Sequence, residues 1–307
     1  MKNDSTSRRD FLRRSAAAAA SLGAFAAPWA WSGANPGQAG AQDQPAKRTK
    51  IVLIGHKPDH PPGTHLYLPD SRLLAKCLRQ TPGVEAVVSD GWPKDPKVLE
   101  GVRAIALYTS PGAEIVFTGP HAEQAERLFK QGVGLTAIHW ATGIRNNKDE
   151  KLAAQYLAHL GGLYGVPGSA IDFSASKVVQ FDPKHPVCRG CGEYPLNDEW
   201  YLNLKFLPAA KPLLKVRVKD KDQVVAWVYE RPDSGGGRSF GNTLFHYHQN
   251  FAIEPFRRFI VNGILWTAHC ELPEGGAPCK VSDEDMKVAG LGTSANGRFS
   301  GESVSPV

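Results

Sequence analysis

Histidines and acidic residues recur in four short stretches of this sequence, each of which directly follows or ends an apolar stretch. In chain order they are His56, His60, His65, His139, Asp198, Glu199, His246 and His248. Imidazoles combined with a carboxylate bind zinc, manganese, iron or nickel, and the same groups transfer protons without a metal. Both kinds of chemistry require the four stretches to meet at one place in the fold.

The first interpretation is a divalent metal site, with zinc, manganese, iron or nickel as the candidate ions. We predict His60, His65, His246 and His248 as its ligands, with an open position for a substrate oxygen. His246 and His248 are two residues apart, so in a strand their side chains point the same way. The alternative is that both are ordinary strand residues that hydrogen-bond within the core.

The second interpretation is metal-free acid and base catalysis. Glu199 is then the acid or base and His139 its partner, with Asp198 as a further catalytic residue. The predicted substrate-binding residues are His56, Trp140 and Tyr201. Asp198 can instead cap a turn, and the aromatic residues can instead belong to the core.

The strands that must position these residues are short apolar segments separated by helical patterns. They cover residues 50–55, 84–89, 102–108 and 133–138. This alternation predicts right-handed crossovers and an α/β fold with a doubly wound, mainly parallel sheet and helices on both faces. His139 then follows a central strand at its carboxyl end, where open sheets bind ligands.

The remaining segments complete this prediction. Helices are expected from Asp70 or Ser71 to residue 80, from Pro120, over residues 151–160, and from Glu254. The C-terminal half adds β segments, antiparallel or mixed, at residues 175–181, 202–206, 212–218, 224–229 and 241–247.

The N-terminus has the pattern of an export signal. Ser7-Arg-Arg-Asp-Phe-Leu12 is a twin-arginine motif, followed by an alanine-rich stretch and the small-residue site Ala39-Gly-Ala41. We predict that residues 1–41 are removed after passage through the twin-arginine export machinery, which places the protein in the periplasm or outside the cell. A membrane-spanning anchor is disfavoured because the apolar stretch is short and alanine-dominated. An uncleaved or lipid-anchored form is left open, although no lipobox cysteine lies near the site.

Composition and charge narrow the function classes. The chain has 307 residues, of which 42% are hydrophobic and 21% charged, values typical of a globular protein with a sizeable core. Without residues 1–41, 31 basic and 28 acidic residues remain, a net charge of +3. No basic cluster is interleaved with aromatic residues, so nucleic-acid binding is not expected.

The five cysteines favour no metal or redox site. Cys188 and Cys191 have the spacing of a redox motif or of half a zinc ribbon, but a second such pair is missing. We predict a structural disulfide or two free thiols at this pair. A periplasmic metal-binding or redox protein built on the pair is the weakest of three functional interpretations.

Three blocks carry a resemblance to a known family. They are the histidine-rich loop after the first strand, Asp198-Glu-Trp-Tyr201, and the ending that contains Leu-Phe-His-Tyr-His and Phe-Arg-Arg-Phe-Ile-Val-Asn-Gly-Ile-Leu-Trp. With these, the chain resembles the ThuA-like (trehalose-utilisation) family over about residues 50–269. We therefore divide it into a signal peptide (1–41), a linker (42–49), a ThuA-like domain (50–270) and a polar tail (271–307).

The resemblance implies a class I glutamine-amidotransferase-like, or flavodoxin-like, fold. In that superfamily a cysteine nucleophile occupies the turn after the central strand, where this chain has His139 and Trp140. Glutamine hydrolysis is therefore not expected, because the turn lacks a nucleophile with a neighbouring base. The family is linked to disaccharide use, including keto-sugars.

The leading hypothesis is thus an exported enzyme that hydrolyses or isomerises a small carbohydrate or keto-glycoside. The alternative is a carbohydrate-binding or scaffold protein that kept the fold without catalysis. Self-association to a homo-oligomer is left open.

Overall fold

A computed structural model of the chain describes residues 48–232 and 234–287. The strands are Thr49–Gly55 (β1), Val84–Asp90 (β2), Val102–Tyr108 (β3), Gly134–Ile138 (β4), Gly162–Leu163 (β5), Ala170–Gln180 (β6), Tyr194–Leu202 (β7), Lys205–Phe206 (β8), Lys211–Val218 (β9), Lys221–Glu230 (β10) and Arg238–Asn242 (β11). The helices are Tyr67–Leu78 (α1), Gly112–Phe117 (α2), Ala122–Lys130 (α3), Glu150–Leu160 (α4) and Glu254–Thr267 (α5). The predicted signal peptide and the end of the predicted tail lie outside the described residues.

Nine strands form one sheet in the order β2-β1-β3-β4-β11-β10-β9-β6-β7. The first five are parallel to one another, and β10, β9, β6 and β7 continue the sheet with antiparallel pairs. The parallel half has the strand order of flavodoxin-like folds, in which ligands bind beyond the carboxyl ends of the strands. The predicted doubly wound, mainly parallel α/β fold is confirmed.

Helices cover both faces of the parallel half. Alternate residues of β1 point to opposite faces, so Ile51 and Leu53 pack in one core with α1 and α5. Val52 and Ile54 pack in the other core with α2, α3 and α4. Because both faces are covered, the strands read as continuous apolar runs.

Two helices begin where local sequence signals indicate, and a third does not. Asp149 caps α4 through the backbone N–H of Leu152, and α5 begins at Glu254 as predicted. The prediction that Asp70 or Ser71 starts the first helix is wrong, because α1 begins at Tyr67 and both residues are buried within it. None of the helices in the described part of the chain is long and apolar enough to span a bilayer.

Two strand predictions near the site residues are also wrong. Asp198 and Glu199 lie within β7 rather than before a strand, and β7 ends next to Asn203, whose φ is 57°. The last strand, β11, ends at Asn242 instead of continuing to residue 247. His246 and His248 therefore do not lie in a strand, and alternation does not decide where they point.

The β6–β7 hairpin leaves the plane of the sheet. β6 pairs with β9 only through Val179 and Gln180, whereas its residues 170–178 pair with β7 alone. In a flat sheet, β7 would lie five strand spacings, about 24 Å, from β4. The hairpin instead brings the Tyr201 ring to 4.8 Å from the His139 ring, which follows β4.

Residues after α5 pack against the domain as far as they are described. Leu272, Ala277 and Cys279 are buried, and the Arg257 Nε donates to the Cys279 carbonyl over 2.6 Å. This part of the segment that we predicted as a polar tail is thus in contact with the core.

Candidate active site at the carboxyl edge of the sheet

Four buried side chains converge beyond the carboxyl ends of the parallel strands: His65, His139, Glu199 and His246. We call them the cluster. His65 lies in the loop after β1, His139 directly follows β4, Glu199 lies on β7, and His246 follows β11. No more than 7% of the surface of any of the four is exposed.

The four ligand atoms form an irregular tetrahedron. His65 Nε2 is 2.9 Å from His139 Nε2 and 3.0 Å from His246 Nδ1, and the last two are 3.3 Å apart. Glu199 Oε2 lies 3.1 Å from His139 Nε2, 3.0 Å from His246 Nδ1 and 4.0 Å from His65 Nε2. A tetrahedral zinc ion with bonds of about 2.05 Å sets its ligand atoms about 3.3 Å apart. The cluster therefore has the size and the donor atoms of a metal site.

The backbone at the cluster is strained. His65 has a φ of 49° and His139 a φ of 55°, and Phe245, which precedes His246, has a φ of 96°. Left-handed conformations cost non-glycine residues about 1–3 kcal/mol each, and they concentrate at functional sites. Three histidines are thus held in place at the expense of local backbone energy.

Hydrogen bonds orient two of the imidazoles. The His139 Nδ1–H donates to the Thr243 carbonyl over 2.7 Å, so Nε2 presents its lone pair to the centre of the cluster. The His65 Nδ1 is 2.7 Å from the Tyr67 hydroxyl, which leaves Nε2 facing the same centre. Metal-binding histidines are typically fixed in this way through their second ring nitrogen.

Protonation also suits metal binding. Burial lowers the pKa of His65 and of His246, so both imidazoles are neutral near pH 7. Burial alone would raise the pKa of Glu199, but the neighbouring His139 and His246 side chains outweigh this effect and lower it to about 2, so the carboxylate is ionised near pH 7. Metal ions bind neutral imidazoles and carboxylates, which is the state found here.

Asp198 holds the backbone next to the cluster through hydrogen bonds and is not one of the four cluster residues. Its carboxylate accepts backbone N–H bonds from Phe245 (2.8 Å), His246 (3.0 Å) and Glu199 (3.0 Å). Burial raises the Asp198 pKa to about 6, against these hydrogen bonds. Asp198 therefore holds the backbone that carries Glu199 and His246, and the alternative of a turn cap does not apply inside β7. Its predicted catalytic role stays a prediction.

Asp59 and His60 lie beside the cluster and nearer to solvent. The His60 ring is centred 3.6 Å from that of His65, and its Nδ1–H donates to Asp59 Oδ1 over 2.7 Å. The two side chains are about one-third exposed, at 32% and 31%. The edge of the half-buried Trp140 is near, with ring centres 5.4 Å apart. His60, predicted as a ligand, lies outside the four central atoms. With Asp59 and His65 it forms a second group of side chains whose spacing could hold a metal ion.

Tyr201 contacts the cluster directly. Its hydroxyl is 3.2 Å from His139 Nε2, and burial raises its pKa well above the ordinary value, so the phenol stays protonated. Its ring stacks on Tyr164, with centres 3.8 Å apart.

Two of the predicted site residues are engaged elsewhere. The His248 Nδ1 is 2.5 Å from Asp70 Oδ1, and its Nε2 donates to the Met286 carbonyl over 2.8 Å, so His248 is not with the other predicted ligands. His56 Nδ1 donates to the Lys57 carbonyl, and Nε2 accepts the Ser110 backbone N–H. Both nitrogens of His56 are used within the protein, which argues against its predicted role in substrate binding.

Several supporting residues were missed from the sequence. They are Asp59, Tyr67, Tyr164 and Thr243. Asp59 and Tyr67 adjoin histidines of the first loop and were detectable by proximity in sequence. Tyr164 and Thr243 reach the cluster only through tertiary packing.

The cysteines are all free thiols, including the pair Cys188 and Cys191. Burial raises the pKa of Cys188 to about 12 and also raises that of Cys191. Reactive cysteines have lowered pKa values, so this pair lacks the character of a redox site.

Comparisons with known proteins identify a family and several similar solved structures. A family model described as ThuA, trehalose utilisation, matches residues 53–267. A ThuA-like protein from Bacteroides uniformis aligns with 17% identity and a TM-score of 0.52, over 76% of this chain and 95% of the other. The N-terminal domain of mmIFT52 aligns with 12% identity and a TM-score of 0.46, over 71% and 97%.

A glutamine amidotransferase from Thermotoga maritima aligns with 10% identity and a TM-score of 0.38, over 72% of this chain and 96% of the other. No match was found among curated proteins.

Proposed function

Because the chain belongs to the ThuA family of trehalose utilisation, we propose that it is a metal-dependent enzyme that hydrolyses or isomerises a glycoside or keto-glycoside. The observation that carries the proposal is the tetrahedral convergence of three imidazole nitrogens and one carboxylate oxygen in a buried cluster. The family supports a role in carbohydrate metabolism, and the cluster supports the chemistry.

The case for a metal rests on the donor atoms. His139 Nε2 is an acceptor because Nδ1 donates to a carbonyl, and Glu199 is an acceptor because it is ionised. Acceptors that converge at about 3 Å repel one another unless a cation or a proton lies between them. A divalent ion satisfies all four ligand atoms at once, and three imidazoles with one carboxylate suit zinc, iron, nickel or manganese.

A bound metal would polarise a hydroxyl or carbonyl oxygen of the sugar. The proton transfers that hydrolysis or isomerisation needs are assigned to His60. Its Nδ1–H is held by Asp59, so Nε2 carries the lone pair that accepts a proton from substrate or water and later returns it. The protonated Tyr201 hydroxyl is the donor for negative charge that develops on a substrate oxygen.

We also propose that the protein acts outside the cytoplasm after twin-arginine export, on the strength of Arg8-Arg9 and the small-residue site that follows. Mass spectrometry of protein recovered from the periplasm tests this. A mature N-terminus near Gln42 is expected, and an intact N-terminus in cytoplasmic protein would refute it.

Metal analysis with turnover tests the proposed function. Protein purified without chelators is expected to hold about one divalent ion per chain and to turn over a member of a panel of trehalose, 3-keto-disaccharides and simple glycosides. His246→Ala should lose both metal and turnover. His269→Asn is the matched control, because His269 is exposed and asparagine tolerates its φ of 60°.

Two results would contradict the proposal. Metal content that is unchanged in His246→Ala would remove the ligand assignment. Sugar binding without turnover, at full metal occupancy, would favour the alternative of a non-catalytic carbohydrate-binding protein.

A further inference from the structure

Exposed apolar side chains are unevenly distributed on this protein. In residues 48–232 and 234–287, the large hydrophobic side chains that remain exposed are Ile171 (45%), Phe173 (54%) and Phe181 (45%). Ile171 and Phe173 lie on β6, in the part that pairs with β7 alone. Adjacent exposed apolar side chains mark binding surfaces more often than isolated ones do.

The strand register places Ile171 and Phe173 on the face of the hairpin that is turned toward the cluster. Phe173 is paired with Glu199, and Ile171 with Tyr201. Residues that face each other across an antiparallel pair project to the same side of the sheet. Phe173 and Ile171 therefore lie on the face from which Glu199 and Tyr201 reach the cluster.

Distances confirm this neighbourhood. The Phe173 ring is centred 5.5 Å from the His246 ring, at an interplanar angle of 73°. His246 is itself a member of the cluster, so a molecule bound there extends onto Phe173 within the width of one sugar ring. Tyr164 is half-buried and continues the same aromatic surface through its stack on Tyr201.

We infer that Phe173 and Ile171 form a subsite that binds the second sugar ring of the substrate, the one beyond the ring that reacts at the cluster. This rests on the proposed function. A pyranose ring has an apolar C–H face, which packs on the negatively charged face of an aromatic ring. The hydroxyl groups around the sugar ring remain in solvent. The exposed surface of Phe173 and Ile171 is therefore sufficient for binding, and a closed pocket is not required.

A sugar ring fits this surface better than a protein partner does. Stable protein interfaces bury about 800 Å² on each partner. Here two apolar side chains are followed along the same face of β6 by the exposed Lys177. The apolar area is small, ends at a charged side chain and adjoins the cluster.

Kinetics with one-ring and two-ring substrates test the subsite. Phe173→Ala is expected to raise the KM for the disaccharide substrate about tenfold, with kcat changed less than about twofold. The KM for the corresponding methyl glycoside should not change, nor should metal content. Phe181→Ala is the matched control, because Phe181 is also exposed (45%, against 54% for Phe173) but packs under Lys215 beyond the end of β6.

The outcomes separate the subsite from the proposed function. An unchanged disaccharide KM in Phe173→Ala, or an equal rise for the methyl glycoside, overturns the subsite while turnover by the wild type leaves the function standing. Without any turnover, calorimetry with trehalose decides: binding to wild type that Phe173→Ala loses supports the subsite, and no binding overturns it. A dimer that dissociates in Phe173→Ala would also overturn it, because the surface would then be a contact between copies.

Discussion

The parallel half of the sheet and its antiparallel extension contribute differently to the candidate active site. His65, His139 and His246 come from loops at the carboxyl ends of β1, β4 and β11, the position where this fold class binds ligands. Glu199 and Tyr201 come from β7, at the far end of the strand order. The β6–β7 hairpin leaves the sheet and returns over its edge, so the extension supplies the carboxylate of the cluster and the exposed Phe173 and Ile171 side chains.

The comparison suggests how one fold acquires a new chemistry. The parallel half provides a general ligand-binding edge, and three imidazoles there already suit several metals. Glu199, Tyr201 and Phe173 lie on the β6–β7 hairpin instead. The proposed function therefore depends on residues outside the parallel half, because a fold by itself does not determine the chemistry of a site.

The largest expected effect comes from removing the ligand that the extension supplies. Glu199→Gln should lower turnover at least about 1000-fold and metal affinity about 10- to 100-fold, because a buried carboxylate is replaced by a weaker neutral donor. Titration with zinc and steady-state turnover measure both. Full occupancy and activity in this variant would mean that the parallel half suffices by itself.

A smaller effect on turnover is expected for His60 and Asp59, the partly exposed pair beside the cluster. His60→Ala should reduce turnover about 100-fold with metal content unchanged, and Asp59→Asn should reduce it about tenfold, because general acid and base groups contribute about 10²–10⁴. Lys57→Ala, an exposed residue of the same loop, is the control. Loss of metal in His60→Ala would instead assign His60 as a ligand, as first predicted from the sequence.

Substitutions of Asp198, which connects β7 to the loop after β11, should lower the stability of the protein. Asp198→Ala removes the acceptor of three backbone N–H groups in a fully buried position and should lower the free energy of unfolding by about 3 kcal/mol. Urea unfolding of metal-free protein measures this. Asp198→Asn keeps one acceptor oxygen and should cost less; equal losses in both variants would indicate that the charge matters rather than the hydrogen bonds.

The smallest effect is expected in the parallel half, away from the cluster. His159 Nε2 lies 2.8 Å from Glu126 Oε2. Burial lowers the His159 pKa, against the attraction of Glu126. Burial raises the Glu126 pKa, but hydrogen bonds from Gln155, Lys130 and His159 outweigh it and lower it. The pKa values of His159 and Glu126 are thus lower in the folded protein than in the unfolded chain. The contribution of the pair to the free energy of unfolding is therefore complete above about pH 6.5 and declines as the pH falls.

Replacing this pair by Glu126→Gln and His159→Gln should make stability less dependent on pH between 6.5 and 4, by about 1 kcal/mol because Glu126 is partly exposed. Thermal unfolding across that pH range measures it. Metal content should be unaffected, and a change there would show that the two regions are coupled.

Local sequence patterns predicted much of the fold. Residues 102–108 form β3 with the predicted bounds, and α5 starts at Glu254, because an uninterrupted apolar run and a proline in the first turn are strong local signals. The set of candidate site residues contained all four members of the cluster, since polar groups after buried strands gather at one edge. Which of these candidates lie together in one cluster did not follow from the sequence.

Local information alone was enough for the class of fold and the ligand-binding edge, because periodicity and turn residues act over a few positions. The family was identified from the resemblance of three sequence blocks. Tertiary structure was required to assign His246 to the cluster and His248 to Asp70, since this depends on where β11 ends and on a left-handed Phe245. It was also required to place Glu199 beside His139, because the bend of a hairpin depends on pairing between distant segments. The physical reason is that three-dimensional convergence depends on contacts between residues far apart in the chain.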